Sequence, residues 1–145
     1  MFKHLLLPVD GSDLSAIAIE QCMQFAKCMN ATVTGLHVSP EFSVITLQTE
    51  MVENSRDQFR KDAEEHARHY LSAVKNAAEE AGVPCDTLHV VGNQAHESIV
   101  NVAQKNGCDA IVMASHGRSG LKGLLLGSVT QKVLAHAQLP VLVIR

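Results

Sequence analysis

No stretch of this chain approaches the roughly 18 consecutive apolar residues of a membrane span. Nor is there a basic excess: the formal net charge is -3 and the isoelectric point lies near 6.2. The sequence therefore gives no electrostatic footprint for nucleic acid, and any anion it binds must be held locally. Metal and redox signatures are missing too. Cys22, Cys28, Cys85 and Cys108 lack the close pairing of a zinc site or a Cys-x-x-Cys centre, and we read them as small, reduced hydrophobes. His66 and His69 stand three apart on a helical pattern, but no neighbouring Cys or further His completes a ligand set, so an exposed polar face accounts for them. His4, His37, His89, His96 and His136 are scattered through strands and helices. Ser15, Ser98 and Ser115 show no G-x-S-x-G pattern, which leaves hydrolase chemistry without sequence support. Linkers, low-complexity tracts, internal repeats and a signal-peptide pattern are all lacking, and the expectation is a cytoplasmic protein.

What remains is 145 residues, 46% of them hydrophobic. That is one domain by length (1–145), large enough to bury a core without disulfides or structural metal. Apolar runs alternate with helical periodicity along it. His4 to Val9 reads as a strand closed by Asp10-Gly11-Ser12-Asp13, and a helix follows to Met29, ended by Asn30. Thr32 to Val38 is a second strand, and Glu41 to Gln48 is either a lid or a loop. A long helix over Thr49 to Ala81 places Ala63, Ala67, Tyr70, Leu71, Val74, Ala77, Ala78 and Ala81 on one face before Gly82 and Pro84 stop it. Cys85 to Val91 forms a third strand, Ala95 to Asn106 a helix capped by Gly107, and Ala110 to Ala114 a fourth strand. Ser128 to His136 is helical, and Leu139 to Ile144 is a fifth strand. Strands alternating with helices imply right-handed crossovers, a parallel sheet covered on both faces, and an α/β fold. Ligands in such sheets bind beyond the carboxyl ends of the strands, where the strand order reverses.

Two features lie at those ends. Asp10 closes the first strand, where a carboxylate accepts bonds from a ribose or helps hold a metal ion on a polyphosphate, or else acts simply as a turn residue or cap. After the fourth strand comes a loop bearing Gly117, Gly120, Gly123 and Gly127, leading to the helix start at Ser128. Glycines admit an anion close to the backbone, and a helix start offers it uncapped N–H groups; a flexible loop before an ordinary N-cap serine is the plainer alternative. Neither G-x-x-x-x-G-K-[ST] nor G-x-G-x-x-G applies. His116 and Arg118 flank Gly117 as a proton carrier and a phosphate clamp, or as solvated loop residues.

Ala114-Ser115-His116-Gly117, nine residues, then Gly127-Ser128 resembles the nucleotide-binding branch of the universal stress protein family, whose motif is Gly-x-x-Gly, nine residues, Gly-[Ser/Thr]. Similarity runs from Leu7-Pro8-Val9-Asp10-Gly11-Ser12 through Leu36-His37-Val38 to Pro140-Val141-Leu142-Val143. The resemblance implies a Rossmann-like fold of the adenine nucleotide alpha hydrolase type: a five-stranded parallel sheet in the order 3-2-1-4-5, with helices on both faces and the ligand between the first and fourth strands. It further implies ATP, ADP or AMP as ligand, with Mg2+ or Mn2+ held by the phosphates rather than by a dedicated protein metal site. Asp10 would face the ribose and a phosphate, and the Val38 backbone the adenine edge. Pro8, Val9 and Met113 would form apolar walls, while Gly117, Gly127, Ser128, Val129 and Thr130 cradle the phosphates. Ala114 stands where the motif has its first glycine; if it keeps extended strand geometry, its methyl costs little.

The resulting expectation is a stress-response sensor or regulatory module, with slow ATP hydrolysis as the most catalysis it offers. The alternatives are a module that binds no nucleotide and works through protein partners, and a slow ATPase. The apolar last strand, Val141 to Ile144, would be a sheet edge in this order. The resemblance implies a homodimer formed there.

Overall fold

The computed structural model describes residues 1–42, 49–117 and 126–145. Nine elements alternate along the described chain: β1 (His4–Pro8), α1 (Asp13–Met29), β2 (Thr32–Ser39), α2 (Thr49–Ala81), β3 (Cys85–Val91), α3 (Ala95–Lys105), β4 (Ala110–Ala114), α4 (Ser128–His136) and β5 (Val141–Ile144). All five strands run parallel in the order β3-β2-β1-β4-β5. The predicted α/β sheet is therefore present with its strand order.

Alternation along β1 explains its central place. Leu5, Leu6 and Leu7 are all fully buried, yet successive side chains of a strand point to opposite faces. Leu5 and Leu7 pack with Ala18, Cys22, Val33, Leu71, Val74 and Val112, the cluster under α1 and α2. Leu6 packs with Leu36, Ile99, Val102, Ile111, Met113 and Val133, the cluster under α3 and α4. A strand apolar on both sides has to be covered on both sides.

Local chemistry sets the element ends. The Ser12 Oγ accepts from Ser15 N at 3.1 Å to cap α1, and Asn30 closes that helix in the left-handed region at φ 52°. At the amino edge of the sheet, the Asp109 carboxylate accepts from Lys3 N at 2.7 Å and from His4 N at 3.2 Å, which joins β1 to β4. β5 starts at Val141 rather than Leu139. Pro140 has no N–H for the ladder and contributes only its carbonyl, which accepts from Ile111 N at 2.9 Å. Similarly, α3 stops at Lys105, with Asn106 as its cap and Gly107 beyond it. β2 reaches Ser39, one residue past the expected end.

One reading needs correction. Cys22 and Cys108 are buried, with burial pushing their thiols up to about 12 and about 11 respectively, so both behave as inert hydrophobes. Cys85 is half-buried and its thiol is likewise raised by burial. Cys28, however, is exposed on α1 rather than packed in the core. Helical spacing puts Cys22 on the inward face and leaves Cys28 off it; reading the four cysteines as one group of hydrophobes passed over that difference.

Beyond β2, Glu41 and Asn93 bond reciprocally: Glu41 N donates to Asn93 Oδ1 at 3.2 Å, and Asn93 Nδ2 donates to Glu41 Oε2 at 2.9 Å. The rest of the predicted lid or loop, 43–48, lies outside the described residues.

Candidate functional site

Strand order reverses between β1 and β4. From β1 the chain proceeds outward through β2 and β3, then returns to place β4 and β5 on the other side. A cleft of about 400 Å³ opens at the carboxyl ends of these strands, the location at which open α/β sheets take ligands.

Its apolar half is built by strand ends and one helix face. Pro8 and Val9 come from the end of β1, Leu36 and Val38 from β2, Met113 and Ala114 from β4, and Ala95 and Ile99 from α3. Ala95 and Ile99 are four apart and so share a helix face.

The polar half is made by Asp10, Ser15, His116, Gly117, Gly127, Ser128, Val129 and Thr130. Asp10 is held by its own turn: Oδ1 accepts from Ser12 N at 3.0 Å, while its N–H donates to Ser15 Oγ at 3.3 Å. Gly117 lies directly against this carboxylate, so close that a Cβ there would overlap Asp10 Oδ2. The two flanks of the glycine motif meet, because Gly127 N donates to Ser115 O at 2.7 Å. A Cβ on Gly127 would come within 3.2 Å of His116 Cα.

Gly127, not Ser128, is the N-cap of α4, and it has no side chain to cap with. Ser128 is the first helical residue. The first bond inside the helix runs from Gln131 N to Gly127 O at 3.0 Å. The amides of Ser128, Val129 and Thr130 thus precede the helical ladder and carry the positive end of the helix dipole. The Thr130 hydroxyl, by contrast, is committed to structure: it is buried and donates to Ala114 O at 3.0 Å. Ala114 itself is the last residue of β4, paired with Ile144 in extended geometry. Its methyl therefore stands where any L-residue fits.

His116 Nδ1 and Ser115 Oγ are 3.0 Å apart in a hydrogen bond. Behind the sheet, His89 bonds Ser39 Oγ through Nε2 at 2.8 Å; burial first, and neighbouring His37 second, hold its imidazole below the ordinary range.

Twelve of the thirteen site residues expected from the sequence line this one cleft. Arg118 lies outside the described residues, as do Gly120 and Gly123. Four lining residues, Ser15, Leu36, Ala95 and Ile99, were not anticipated. Ile99 carried a signal, since its helical spacing marked it as inward-facing; Ser15 gave none beyond lying in the first turn after Asp10. Among the described residues, no three His, Cys, Asp or Glu side chains are grouped to hold a metal ion. None of the described helices is long and apolar enough to cross a membrane.

A family model described as the universal stress protein family matches residues 1–145. Universal stress protein YxiE of Bacillus subtilis is 37% identical over 149 residues, covering all of both chains. Universal stress protein MJ0577 of Methanocaldococcus jannaschii is 33% identical over 156 residues, covering 100% of this chain and 96% of that one. The solved structure of hypothetical protein MJ0577 matches with a TM-score of 0.84 at 34% identity, over 99% of this chain and 96% of the other. A universal stress protein solved in complex with cAMP matches with a TM-score of 0.70 at 22% identity, over 99% and 97% of the two chains, a likeness of fold.

Proposed function

The chain belongs to the universal stress protein family, and from that premise we propose that it binds an adenine nucleotide in the β1/β4 cleft as a stress-response sensor or regulatory module. The observation that carries this reading is the division of one cleft into an apolar half and an anion-accepting half. Val9, Leu36, Val38, Ile99 and Met113 suit the faces of a base, whereas Gly117, Gly127 and the amides opening α4 suit phosphate oxygens. Asp10 stands between, where a ribose hydroxyl would donate to it. A relative sharing the fold is described with cAMP bound, which supports an adenine ligand for the shared architecture.

Mg2+ or Mn2+ fits this donor set only as a companion of the phosphates. Asp10 is the one carboxylate among the lining residues, and Mg2+ readily combines one carboxylate with phosphate oxygens and water. Efficient catalysis is not part of the proposal. Phosphoryl transfer needs a placed nucleophile, a base and charge stabilisation on the transferring group, and among the described residues Asp10 and His116 are the acid–base side chains lining the cleft.

Calorimetry with ATP, paired with mass spectrometry of small molecules released from freshly purified protein, tests the reading. A dissociation constant in about the micromolar range, or co-purified adenine nucleotide, is expected. Absence of both would favour the partner-binding alternative.

Residence in the cytoplasm and assembly as a homodimer through Val141 to Ile144 belong to the same proposal. Among the described residues β5 pairs with β4 alone, and Leu142 is 40% exposed on it. An unpaired apolar edge is a template for a second copy, and antiparallel pairing about a two-fold axis would cover it. Sedimentation should report twice the chain mass, and Leu142→Lys, which sets like charges across the axis, should sediment as a monomer. A wild-type monomer would remove the dimer from the proposal.

A further inference from the structure

At the end of β1 the chain turns away from the sheet, and what it carries into the cleft is Asp10. Val9, immediately before it, is bonded to β2 at both of its peptide groups. Its N–H donates to Leu36 O at 2.8 Å, and its carbonyl lies 2.8 Å from His37 Nδ1. A carbonyl can only accept, so His37 carries its proton on Nδ1 and donates. The imidazole is buried on the face of the sheet under α2. There Tyr70 meets its edge with ring centroids 5.0 Å apart, and His89 stacks at 6.0 Å. The Tyr70 ring also lies directly over Gly11, leaving no space for a Cβ there. Residues 9 to 11 are thus held from behind the sheet by two side chains, neither of which lines the cleft.

We propose that His37, backed by Tyr70, is a positioning residue for the cleft: it fixes the Val9 carbonyl and thereby aims Asp10 at the ligand. The inference rests on the nucleotide reading of the cleft and deepens it. Of the two bonds on the Val9 peptide groups, the amide bond belongs to the β2 backbone and survives any side-chain change. The carbonyl bond depends on one imidazole. Losing it leaves the carbonyl side of the Val9–Asp10 peptide without its partner, while the amide side keeps its longer bond from Asp10 N to Ser15 Oγ at 3.3 Å; the peptide tilts about that bond, and the carboxylate shifts with it.

The test is a double-mutant cycle read by ATP calorimetry on the full chain. His37→Ala is expected to weaken ATP binding about tenfold, the order of one hydrogen bond lost from a buried site. His37→Asn places its amide nitrogen where Nδ1 stood and should restore most of that affinity. In an Asp10→Ala background, His37→Ala should change affinity little further, because the group it aims is gone. A general loss of stability would instead lower affinity in both backgrounds and would not be rescued by Asn alone. In the free protein, nitrogen NMR should find His37 protonated at Nδ1, with the amides of Asp10 and Gly11 shifted in His37→Ala and restored in His37→Asn. Unchanged ATP affinity in His37→Ala, or full additivity with Asp10→Ala, overturns the inference while leaving the nucleotide reading standing. A wild-type protein that binds no ATP overturns both.

Discussion

Gly127→Val is expected to eliminate measurable ATP binding and to leave the fold intact. Two observations separate these outcomes. The backbone at Gly127 has φ -69° and ψ 158°, a conformation open to any L-residue, so the substitution introduces no dihedral strain that would unfold the chain. Space is another matter. A Cβ there stands 3.2 Å from His116 Cα and 3.4 Å from Ser115 O, and those atoms are backbone, unable to rotate aside. The β-branched methyls of valine must push the first turn of α4 away from the Ser115–Gly117 segment. The Gly127 N to Ser115 O bond is the link that holds those two sides together. Parting them withdraws the amides of Ser128 to Thr130 from the phosphates. Two or more charge-assisted hydrogen bonds lost at about 1.5 kcal/mol each predict an affinity at least about a hundredfold weaker. Circular dichroism should match wild type, and ATP should no longer raise the melting temperature. Affinity within about threefold of wild type would take Gly127 out of the site.

Leu7→Ala should do the reverse, with a large loss of stability and little change in the ligand's own contribution. Leu7 is fully buried in the central strand, within the cluster under α1 and α2, and is not among the lining residues of the cleft. Truncating a leucine at such a site removes transfer free energy and leaves a cavity, together about 3 to 5 kcal/mol. That is a large fraction of the roughly 5–15 kcal/mol that holds an ordinary domain, and the melting temperature should fall by about 10 °C. Urea denaturation should show a lower midpoint at unchanged slope. Saturating ATP should add nearly the same increment as in wild type, since that increment depends only on ligand concentration and affinity. A loss below about 1 kcal/mol would mean that the neighbours collapse into the space far more readily than a packed core allows.

Much of this was legible in the sequence because periodicity reports burial directly. The alternation of apolar strand runs with helical spacing located all nine elements, and the bounds of α2 and β3 match residue for residue. The glycine motif named Gly117 and Gly127, which line the same cleft. Facing was harder. Ile99 recurs with Val102 and Ala103 at helical spacing and Leu36 lies in an apolar strand run, but neither pattern says whether a residue covers core or opens onto a cleft; here both residues do both. Cys28 stands six residues from Cys22, well over half a turn round the helix, so helical spacing already sets it off the face that Cys22, Met23 and Ala26 bury. His37 looked like one of several scattered histidines. Its importance comes from a carbonyl 28 positions away, a relation that no local pattern carries. Thr130 was expected at the phosphates through its position in the motif; it lines the cleft in the first turn of α4, while its hydroxyl serves Ala114.

The seam between β1 and β4 has a kinetic consequence. Leu5 pairs with Ala110, and Lys3 with the Asp109 carboxylate across 106 positions of sequence. β1, β2 and β3 can meet early, through connections of a few tens of residues, but the other flank of β1 stays open until Ala110 arrives. Closing so long a loop is entropically unfavourable until the whole contact set forms at once. During synthesis from the amino terminus, the cleft therefore cannot exist before the start of α4, around residue 130, has emerged. A chain that stops short of β4 presents the Asp10 turn without Gly117, the residue that lies against its carboxylate.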